Sequence, residues 1–600
     1  MTIDNKRIRD LCVVFFFALL LRIVYVLFTR QFYFFYHHPS SDVMYYQHWA
    51  QELARTNFVG LRVFSGLPLY PYFLAVLYRL FLASVPLIRF AHLVLGAVNC
   101  LLVYLISAQL FGRKVAMGSA LLVAAHFSFI YYDCLMMPVG LNIFFSLLIV
   151  LFVLRSNQLQ TKRSMFFLGL VIGLACLGDG KMILFLVFLV LKFLHGCLFK
   201  KSYKRQCFRV MCFVIGFWVI MISVGLRNWI VSGEWVWISA QKGLSLYVGN
   251  NINAKGYYKH PDFLRPDHHG QDEDMVLNVS RALNHPVSVK QASQYWQDQA
   301  FIYIRQHPKG FFKLLGKKFS LFFTDTQEAY DLDLILQGEW KNRLEWNHFW
   351  IIFPLGGLGL YFARKKKGVL MIAVLIVCQL LFTLVFFLQH RHRMTIIPFF
   401  IMFEVFAFLE IYQSVRKREW KLPILACVPI CLYIVIFPTQ KISGQMLEYI
   451  HATKAGNVYE GRQDFLQAKK SYQKALRIHP QDTNALYNLA NVHFSLGDTN
   501  EAVRLYQKVL RINPYHADAL YNLAFLYKMT GSTENALEVF LTLHQWQPQS
   551  PDVNLQLILI YRSQDNCAET LNYYHFLKHK NVNLGEELEI FIKSCTDNGF

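Results

Sequence analysis

About eleven long apolar runs occupy residues 1–438, and they constrain the fold more than any other feature of this chain. Most approach the ~20 residues that a helix needs to cross a bilayer core. Hydrophobic residues make up 55% of the sequence and charged residues only 16%, which excludes an ordinary soluble protein. The sequence therefore predicts an all-α, polytopic membrane domain. Its predicted spans are 11–28, 86–111, 115–132, 139–154, 165–177, 182–199, 208–226, 349–361, 369–388, 394–412 and 422–437.

The basic residues orient these spans, because lysine and arginine in short loops favour the cytoplasmic side. Basic clusters occur on every second connection, beginning with Lys6, Arg7 and Arg9. This pattern predicts a cytoplasmic N-terminus and places 29–84, 227–348 and all residues after 438 outside. No small-residue cleavage site follows the first run, so we expect no cleaved signal peptide. Much of the net charge of +22 is explained by this topology, so it predicts contact with a bilayer and not with nucleic acid.

The C-terminal part is organised by a repeat. Pro480, Pro514 and Pro548 recur every 34 residues, as do Ala468, Ala502 and Ala536. The period and the small residues resemble the tetratricopeptide repeat, in which paired helices stack into a solenoid. The resemblance implies a repeat domain over 446–600, with repeats at 447–480, 481–514 and 515–548 and a degenerate fourth at 552–580.

The role of such a solenoid is open from sequence. Its concave face is suited to an extended peptide or a helix, so one interpretation is recruitment of a protein or peptide partner. The other is a module for dimerisation or stability. Cys567 and Cys595 lie in this part, and an oxidising compartment would permit them to pair.

The segment after the first span contains the most informative acidic residue, Asp42. Tyr45, Tyr46 and Trp49 follow it at helical spacing, which predicts one face of a short helix at the membrane interface. A carboxylate beside an aromatic face suits a sugar ring, because the C–H face stacks on aromatics and the hydroxyls donate hydrogen bonds. An interfacial helix with tyrosine and tryptophan at headgroup depth gives the same pattern.

Several catalytic signatures are absent from the sequence. We find no Walker loop, dinucleotide fingerprint, zinc-ligand spacing or serine-nucleophile elbow. An enzyme of this kind would therefore take its activated substrate from the lipid phase. The histidines and aspartates scattered over 260–274 are more typical of a solvated loop than of a metal site, and 288–307 reads as an amphipathic helix ending at Pro308.

Several stretches together are similar to the GT-C glycosyltransferase superfamily, in particular to bacterial relatives of protein O-mannosyltransferases and aminoarabinose transferases. They are the segment from Asp42 to Ala50, residues 66–75, Tyr131-Tyr132-Asp133, residues 243–256 and residues 391–398. The resemblance covers roughly residues 11–438. It implies an extracytoplasmic active site and a sugar donor linked to polyprenyl phosphate.

The resemblance implies roles for individual residues. Asp42 would be the general base on an acceptor hydroxyl, and Asp133 a second acid at the outer surface. Arg391 and Arg393 are the preferred cations for the leaving phosphate, although a basic interfacial anchor explains them equally well. The full set of candidate substrate-binding residues is Tyr45, Tyr46, Trp49, Arg89, Lys242, Asn250, Asn251, Arg391 and Arg393.

One departure from the superfamily concerns a metal. Relatives often carry a glutamate shortly after the residue corresponding to Asp133, whereas this chain has Pro138-Val139-Gly140. A divalent metal held by paired acids is therefore unsupported, and we assign no metal ligand.

These observations lead to one functional expectation. We expect an integral-membrane hexosyltransferase of the bacterial inner membrane that moves a sugar from polyprenyl phosphate to an extracytoplasmic acceptor, preferably a protein hydroxyl. A glycan or lipid acceptor is an alternative. A non-catalytic, membrane-anchored repeat scaffold is another, although so many spans far exceed what an anchor needs.

Overall fold

A computed structural model describes residues 5–32, 41–61, 63–82, 84–155, 161–198, 203–258, 261, 263–264, 268–324, 349–437, 444–514, 516–546, 550–579 and 586–597. Every regular element within these ranges is a helix, and an isolated parallel bridge pairs Tyr257 with Leu388. The chain divides into two compact units. One comprises Met1–Lys259 and Val289–Ile442, and the other comprises His260–Ser288 and Ser443–Phe600.

Eighteen described helices belong to the first unit. Their bounds are α1 (Asn5–Phe32), α2 (Ser41–Arg55), α3 (Leu69–Leu80), α4 (Val85–Phe111), α5 (Arg113–Ala125), α6 (Phe127–Cys134), α7 (Val139–Arg155), α8 (Lys162–Gly178), α9 (Met182–Leu198), α10 (Tyr203–Ser232), α11 (Lys242–Gly249), α13 (Val289–Gln306), α14 (Pro308–Phe323), α15 (Phe349–Ala363), α16 (Val369–Val385), α17 (His390–Arg393), α18 (Ile397–Arg416) and α19 (Lys421–Ile436). The remaining loop helix, α12 (His268–Leu283), falls in the second unit.

All of the predicted spans fall on helices, which confirms a helical membrane protein. By length and composition, four described helices can cross a bilayer, namely Asn5–Phe28, Val85–Phe111, Cys207–Ser232 and Ile397–Arg416. Other apolar helices are shorter, among them α7, α15 and α16. The number of spans therefore stays a prediction.

The predicted third span is broken. Residues 115–132 form α5 and α6, whose axes differ by 55°. His126 lies between the two helices with an extended backbone (φ −68°, ψ 121°), so the helical hydrogen-bond pattern stops there. The bend aims α6 and its acidic residue, Asp133, back into the helix bundle, where the residue is buried.

Glycines allow α8 and α10 to pack closely. A Cβ atom at Gly169 would overlap the carbonyl of Phe213, and one at Gly216 would overlap the carbonyl of Phe166. Small residues at such crossings bring backbones into van der Waals contact, which stabilises helix pairs within a bilayer.

The second unit contains the repeats as consecutive helical hairpins. Their helices are α20 (Gly444–Gly461), α21 (Phe465–Ile478), α22 (Thr483–Ser495), α23 (Thr499–Ile512), α24 (Ala517–Met529), α25 (Thr533–Trp546), α26 (Pro551–Ser563), α27 (Cys567–His579) and α28 (Glu586–Asp597). Gly497 and Gly531 form the turns with φ of 82° and 81°, a conformation that favours glycine. Ala468, Ala502 and Ala536 are fully buried, as their small size at the helix crossings requires.

A disulfide closes the C-terminal end of the repeats. Cys567 at the start of α27 is bonded to Cys595 in α28, and their Cα atoms are 5.4 Å apart. The last helix is therefore covalently fixed to the fourth hairpin.

Candidate functional site

Asp42 lies in the first turn of α2, where the helix dipole favours a negative charge. The buried side of the same helix contributes Val43, Ala50 and Leu53 to an apolar cluster with α3. This packing fixes the helix, while the Asp42 side chain remains 28% exposed.

The aromatic residues of α2 lie in two environments. Trp49 belongs to the apolar cluster and contacts Phe64, with ring centroids 5.5 Å apart. Tyr45 is half-buried, and its hydroxyl lies 3.1 Å from the hydroxyl of Ser65. Tyr46 is also half-buried and contacts Tyr70 edge-on. The two tyrosines are thus more accessible than Trp49, which serves the core.

The ion pair between Asp42 and Arg391 brings together residues far apart in sequence. Arg391 lies on the short helix α17, and its Nη1 donates to Asp42 Oδ2 over 2.6 Å. The arginine side chain is 18% exposed, so both charged groups remain partly accessible. Charge-assisted hydrogen bonds of this length are strong and fix geometry.

Tyr258 and His392 adjoin this pair. The backbone N–H of Tyr258 donates to the carbonyl of Leu388 over 3.1 Å, and its ring lies 5.0 Å from that of Phe387. Burial raises the pKa of Tyr258 to about 12, an effect that the nearby charge of Asp42 adds to and that of Arg391 opposes. Burial also lowers the pKa of His392 well below its ordinary value, so this imidazole is neutral.

Three buried cations hold the connection that carries Arg391. Lys181 Nζ donates to the carbonyl of His392 over 2.7 Å. Lys318 Nζ donates to the carbonyl of Leu384 and to Asn250 Oδ1, each over 3.0 Å. Arg393 donates to the carbonyl of Thr324 over 2.7 Å. These bonds tie the segment between α16 and α18 to two other parts of the chain, the turn between α8 and α9 and the C-terminal end of α14.

Lys181 and Asp179 were missed by the sequence reasoning. Both are buried at the turn between α8 and α9, with Lys181 Nζ 3.3 Å from Asp179 Oδ2. The signal was the Asp179-Gly180-Lys181 triplet between two apolar runs, since charges placed there are costly without a role. The sequence also did not distinguish Lys318 from the other lysines of the same segment, such as Lys313 and Lys317. Burial lowers the pKa of Lys318 to about 7.

Asp133 differs from the expectation of an acid at the outer surface. It is buried and paired with Arg22, whose Nε donates to Asp133 Oδ2 over 2.8 Å. Arg22 is itself only 1% exposed and also donates to the carbonyl of Ala18. The carboxylate fits here because Gly96 and Gly140 flank it without a Cβ atom. A glycine at 140 thus makes room for an intramembrane ion pair.

Arg393 also differs from its expected role. It is 1% exposed, and its guanidinium lies over the ring of Phe349 at 4.2 Å in addition to its carbonyl partners. Of the preferred pair of arginines, the structure brings only Arg391 to Asp42.

The other candidate binding residues are dispersed. Asn250 is buried and donates to the carbonyl of Val385 over 2.7 Å, while Asn251, just after α11, donates to the carbonyl of Tyr247 in that helix. Lys242 is exposed at the start of α11. Arg89 is half-buried on α4, near Tyr78.

The described residues contain no group of three or more histidine, cysteine, aspartate or glutamate side chains that could hold a metal ion. Within 260–274, His260, Asp262 and Asp267 lie outside the described residues.

A hydrogen-bonded ladder of asparagine and tyrosine connects the repeats. Asn488 Nδ2 donates to Asn457 Oδ1 over 3.1 Å, which connects α22 to α20. Asn522 Nδ2 donates to Asn491 Oδ1 over 3.1 Å and to the hydroxyl of Tyr506 over 3.2 Å. The ladder also includes a carboxylate, because the hydroxyl of Tyr472 contacts both Asn457 Oδ1 at 2.8 Å and Glu460 Oε2 at 2.6 Å. It gives the first helices of three repeats a polar edge with Glu460 beside it.

Comparison with protein families agrees with both resemblances. Residues 65–229 match the family model for dolichyl-phosphate-mannose-protein mannosyltransferases. Residues 449–514 and 493–558 match models for the tetratricopeptide repeat. The chain therefore combines a GT-C-type domain with C-terminal tetratricopeptide repeats. Asp42 and Arg391 lie outside the matched segment, so their assignment depends on the geometry described above.

Among solved structures, the chain is similar to MamA, with 18% identity over 28% of this chain and 92% of that one, at a TM-score of 0.21. YrrB, described as a tetratricopeptide-repeat protein with an unusual peptide-binding site, shares 19% identity over 32% of this chain and 89% of its own, at a TM-score of 0.22. The Cut9-Hcn1 hetero-tetramer of APC/C shares 13% identity over 92% of this chain and 96% of that one, at 0.24. TM-scores this low do not establish a common overall fold. Comparison with curated proteins gave no significant match.

Proposed function

We propose that this protein is a membrane glycosyltransferase that moves a sugar from a polyprenyl-phosphate donor to an extracytoplasmic protein hydroxyl. The observation that carries the proposal is the partly exposed Asp42–Arg391 pair, at 2.6 Å, next to the lipid-embedded helices. The match to the mannosyltransferase family supports the donor class.

In the proposed reaction, Asp42 accepts the proton of the acceptor hydroxyl as its oxygen bonds to the anomeric carbon. The bond between that carbon and the phosphate oxygen breaks, and the phosphate leaves with the electron pair. Arg391 stabilises the charge on the departing phosphate. Lys181 fixes the carbonyl of His392 and so keeps Arg391 beside the base. Tyr45 and Tyr46 are the available aromatic surfaces for the sugar ring.

Two observations support an extracytoplasmic location of the repeats. Residues His260–Ser288, from the loop between α10 and α15, group with the repeats in one compact unit, which supports a common compartment for both. The Cys567–Cys595 disulfide fits an oxidising compartment. Four apolar helices, α15, α16, α18 and α19, separate that loop from the repeats, and an even number of crossings returns the chain to the same side.

The repeats support a protein acceptor over a glycan or lipid. Their asparagine and tyrosine ladder offers amide and hydroxyl groups beside the carboxylate of Glu460, and such groups can form hydrogen bonds with the main chain of an extended peptide. We infer that the repeats bind the protein that carries the acceptor hydroxyl.

The test is transfer of radiolabelled sugar from the membranes' own lipid-linked pool, comparing the wild type with Asp42→Asn. Asp298→Asn, which removes an exposed carboxylate from α13, is the matched control. We expect label in the protein fraction to disappear only with Asp42→Asn, while both variants keep the wild-type thermal unfolding profile. Label that reaches a glycan or lipid fraction would reassign the acceptor. If Asp42→Asn transfers as much sugar as the wild type, Asp42 is not the base, and the alternative of a non-catalytic repeat scaffold is favoured.

A further inference from the structure

Helix α14 divides into three faces around its axis. Leu314, Lys318 and Leu321 are buried and pack toward the protein. The other two faces of the helix are exposed. Their side chains are of two kinds, and each kind occupies its own strip.

The first exposed strip is basic. Lys309, Lys313 and Lys317 follow one another at intervals of four residues and are all exposed. A spacing of four places them on one side of the helix. The helix contains no aspartate or glutamate, so this strip has no neutralising partner in its own element.

The second exposed strip is aromatic and directly adjoins the first. Phe312 is 69% exposed and Phe319 is 42% exposed, and their spacing of seven places them on the same side. Between the two strips lies Gly316, where a side chain would meet no other atom within 4 Å. The surface is therefore open at Gly316, between the two strips.

The end of α14 is fixed at the boundary of a lipid-facing helix. The hydroxyl of Tyr433, on α19, donates to the carbonyl of Phe323, and the ring of Phe323 lies 5.7 Å from that of Phe437. Side chains of α19 around this contact are exposed and apolar, among them Leu432 at 53% and Val435 at 78%. Such a surface is suited to acyl chains, and the C-terminal end of α14 packs against the helix that carries it.

We propose that α14 is an interfacial helix that binds anionic lipid headgroups with Lys309, Lys313 and Lys317 while Phe312 and Phe319 enter the headgroup–acyl boundary. Basic and aromatic strips side by side are what such a surface requires. The proposed occupant is the bilayer surface, because α14 ends against α19, whose exposed side chains are apolar. Which leaflet it is depends on the proposed orientation; the binding itself does not. On its buried face, Lys318 connects the same helix to Leu384 and Asn250, so the lipid contact also steadies the connection to Arg391.

The test uses the full chain in nanodiscs of phosphatidylcholine, with and without phosphatidylglycerol, and measures hydrogen exchange of the peptide over 308–323. We expect slower exchange with phosphatidylglycerol, and loss of that protection at high salt or in the triple variant Lys309→Gln, Lys313→Gln, Lys317→Gln. From the contribution of single lysines near an anionic surface, each lost lysine should weaken the lipid-dependent protection about fivefold. The matched control is Lys470→Gln, Lys508→Gln, Arg511→Gln, which removes three exposed charges from the repeats.

Equal exchange in the two lipids, or protection unchanged in the triple variant, would overturn the proposal. Protection that appears in phosphatidylcholine only when polyprenyl phosphate is added would also overturn it, because the occupant would then be the donor carrier and not the bilayer. Exchange is measured without sugar transfer, so the result is independent of whether the proposed glycosyltransferase activity is confirmed.

Discussion

At the scale of single residues, two aspartates that look equivalent in sequence occupy opposite environments. Each lies after a predicted span and near a pair of tyrosines, which are Tyr45 and Tyr46 for Asp42 and Tyr131 and Tyr132 for Asp133. Asp42 is 28% exposed beside Arg391, whereas Asp133 is buried against Arg22 within the helix bundle. The spacing of residues in the sequence does not distinguish the two environments. The bend at His126 turns α6 into the bundle, and no local sequence pattern indicates the direction of that bend.

This difference predicts distinct phenotypes. Asp133→Asn should lower the thermal unfolding temperature, because it leaves the buried charge of Arg22 uncompensated, a loss of ~3 kcal/mol or more. The double variant Arg22→Met, Asp133→Leu removes both charges and should recover much of that loss. The check is thermal unfolding in detergent for each variant. A stable Asp133→Asn protein that has lost sugar transfer would instead return Asp133 to a catalytic role.

Lys318 predicts a dependence of stability on pH. Burial lowers its pKa from 10.5 to about 7, so between these values the unfolded chain binds a proton that the folded chain lacks. The free energy of unfolding should therefore rise with pH in this window, by up to ~1.4 kcal/mol per unit from this group. Below about pH 7 both states are protonated and this contribution to the slope vanishes.

Thermal unfolding at about pH 6.5 and about pH 8.5 measures this effect. Lys318→Met should remove this part of the difference between the two pH values, and Lys317→Gln, an exposed neighbour on α14, should leave it unchanged. The same pH response in the wild type and in Lys318→Met would show that another group is responsible.

At the scale of elements, helices were predicted well where an apolar run or a repeat period defined them. Gly497 and Gly531 mark their turns by identity alone, and α13 (Val289–Gln306) matches the amphipathic helix expected before Pro308. The division of 115–132 into two helices was not predictable, since His126 is compatible with a continuous helix. Tertiary packing of Asp133 against Arg22 favours the bent form.

The close crossing of α8 and α10 predicts a large effect from a small change. Gly169→Leu would place a side chain against the carbonyl of Phe213, so the helices would have to separate. We expect a loss of ~1–3 kcal/mol, the usual cost of overpacking, seen as a lower unfolding temperature. Gly357→Leu, at an open position on α15, is the control and should have little effect. Equal stability of both variants would refute the close crossing.

At the scale of the whole molecule, the architecture could be predicted from the sequence, whereas most of the contacts that form the candidate site could not. The 34-residue period and the long apolar runs each extend over many residues, so an atypical residue at one position does not change the predicted fold. The site joins Asp42 to Arg391 across 349 positions of sequence, and the residues that steady it, Lys181 and Lys318, come from two further elements. Such contacts depend on packing between helices, which cannot be predicted from the residue pattern of a single sequence.

The last prediction concerns the compartment of the repeats. Cys567 and Cys595 are bonded, and a disulfide is stable in an oxidising compartment but not in a reducing cytosol. Membranes denatured with a thiol-blocking agent present should therefore show two fewer reactive cysteines than the same membranes after reduction. Cys567→Ser should free Cys595 for labelling, and the double variant with Cys595→Ser should abolish the difference.

The matched comparison is Cys427→Ser on α19, which removes a free cysteine and should lower labelling equally with and without reduction. Since the disulfide fixes α28 to the fourth hairpin, its loss should also lower the stability of the repeat unit, by ~2–4 kcal/mol. If both thiols react fully without reduction, the repeats face the cytosol. The number of spans would then have to be even, and the repeats could not present an extracytoplasmic acceptor to Asp42.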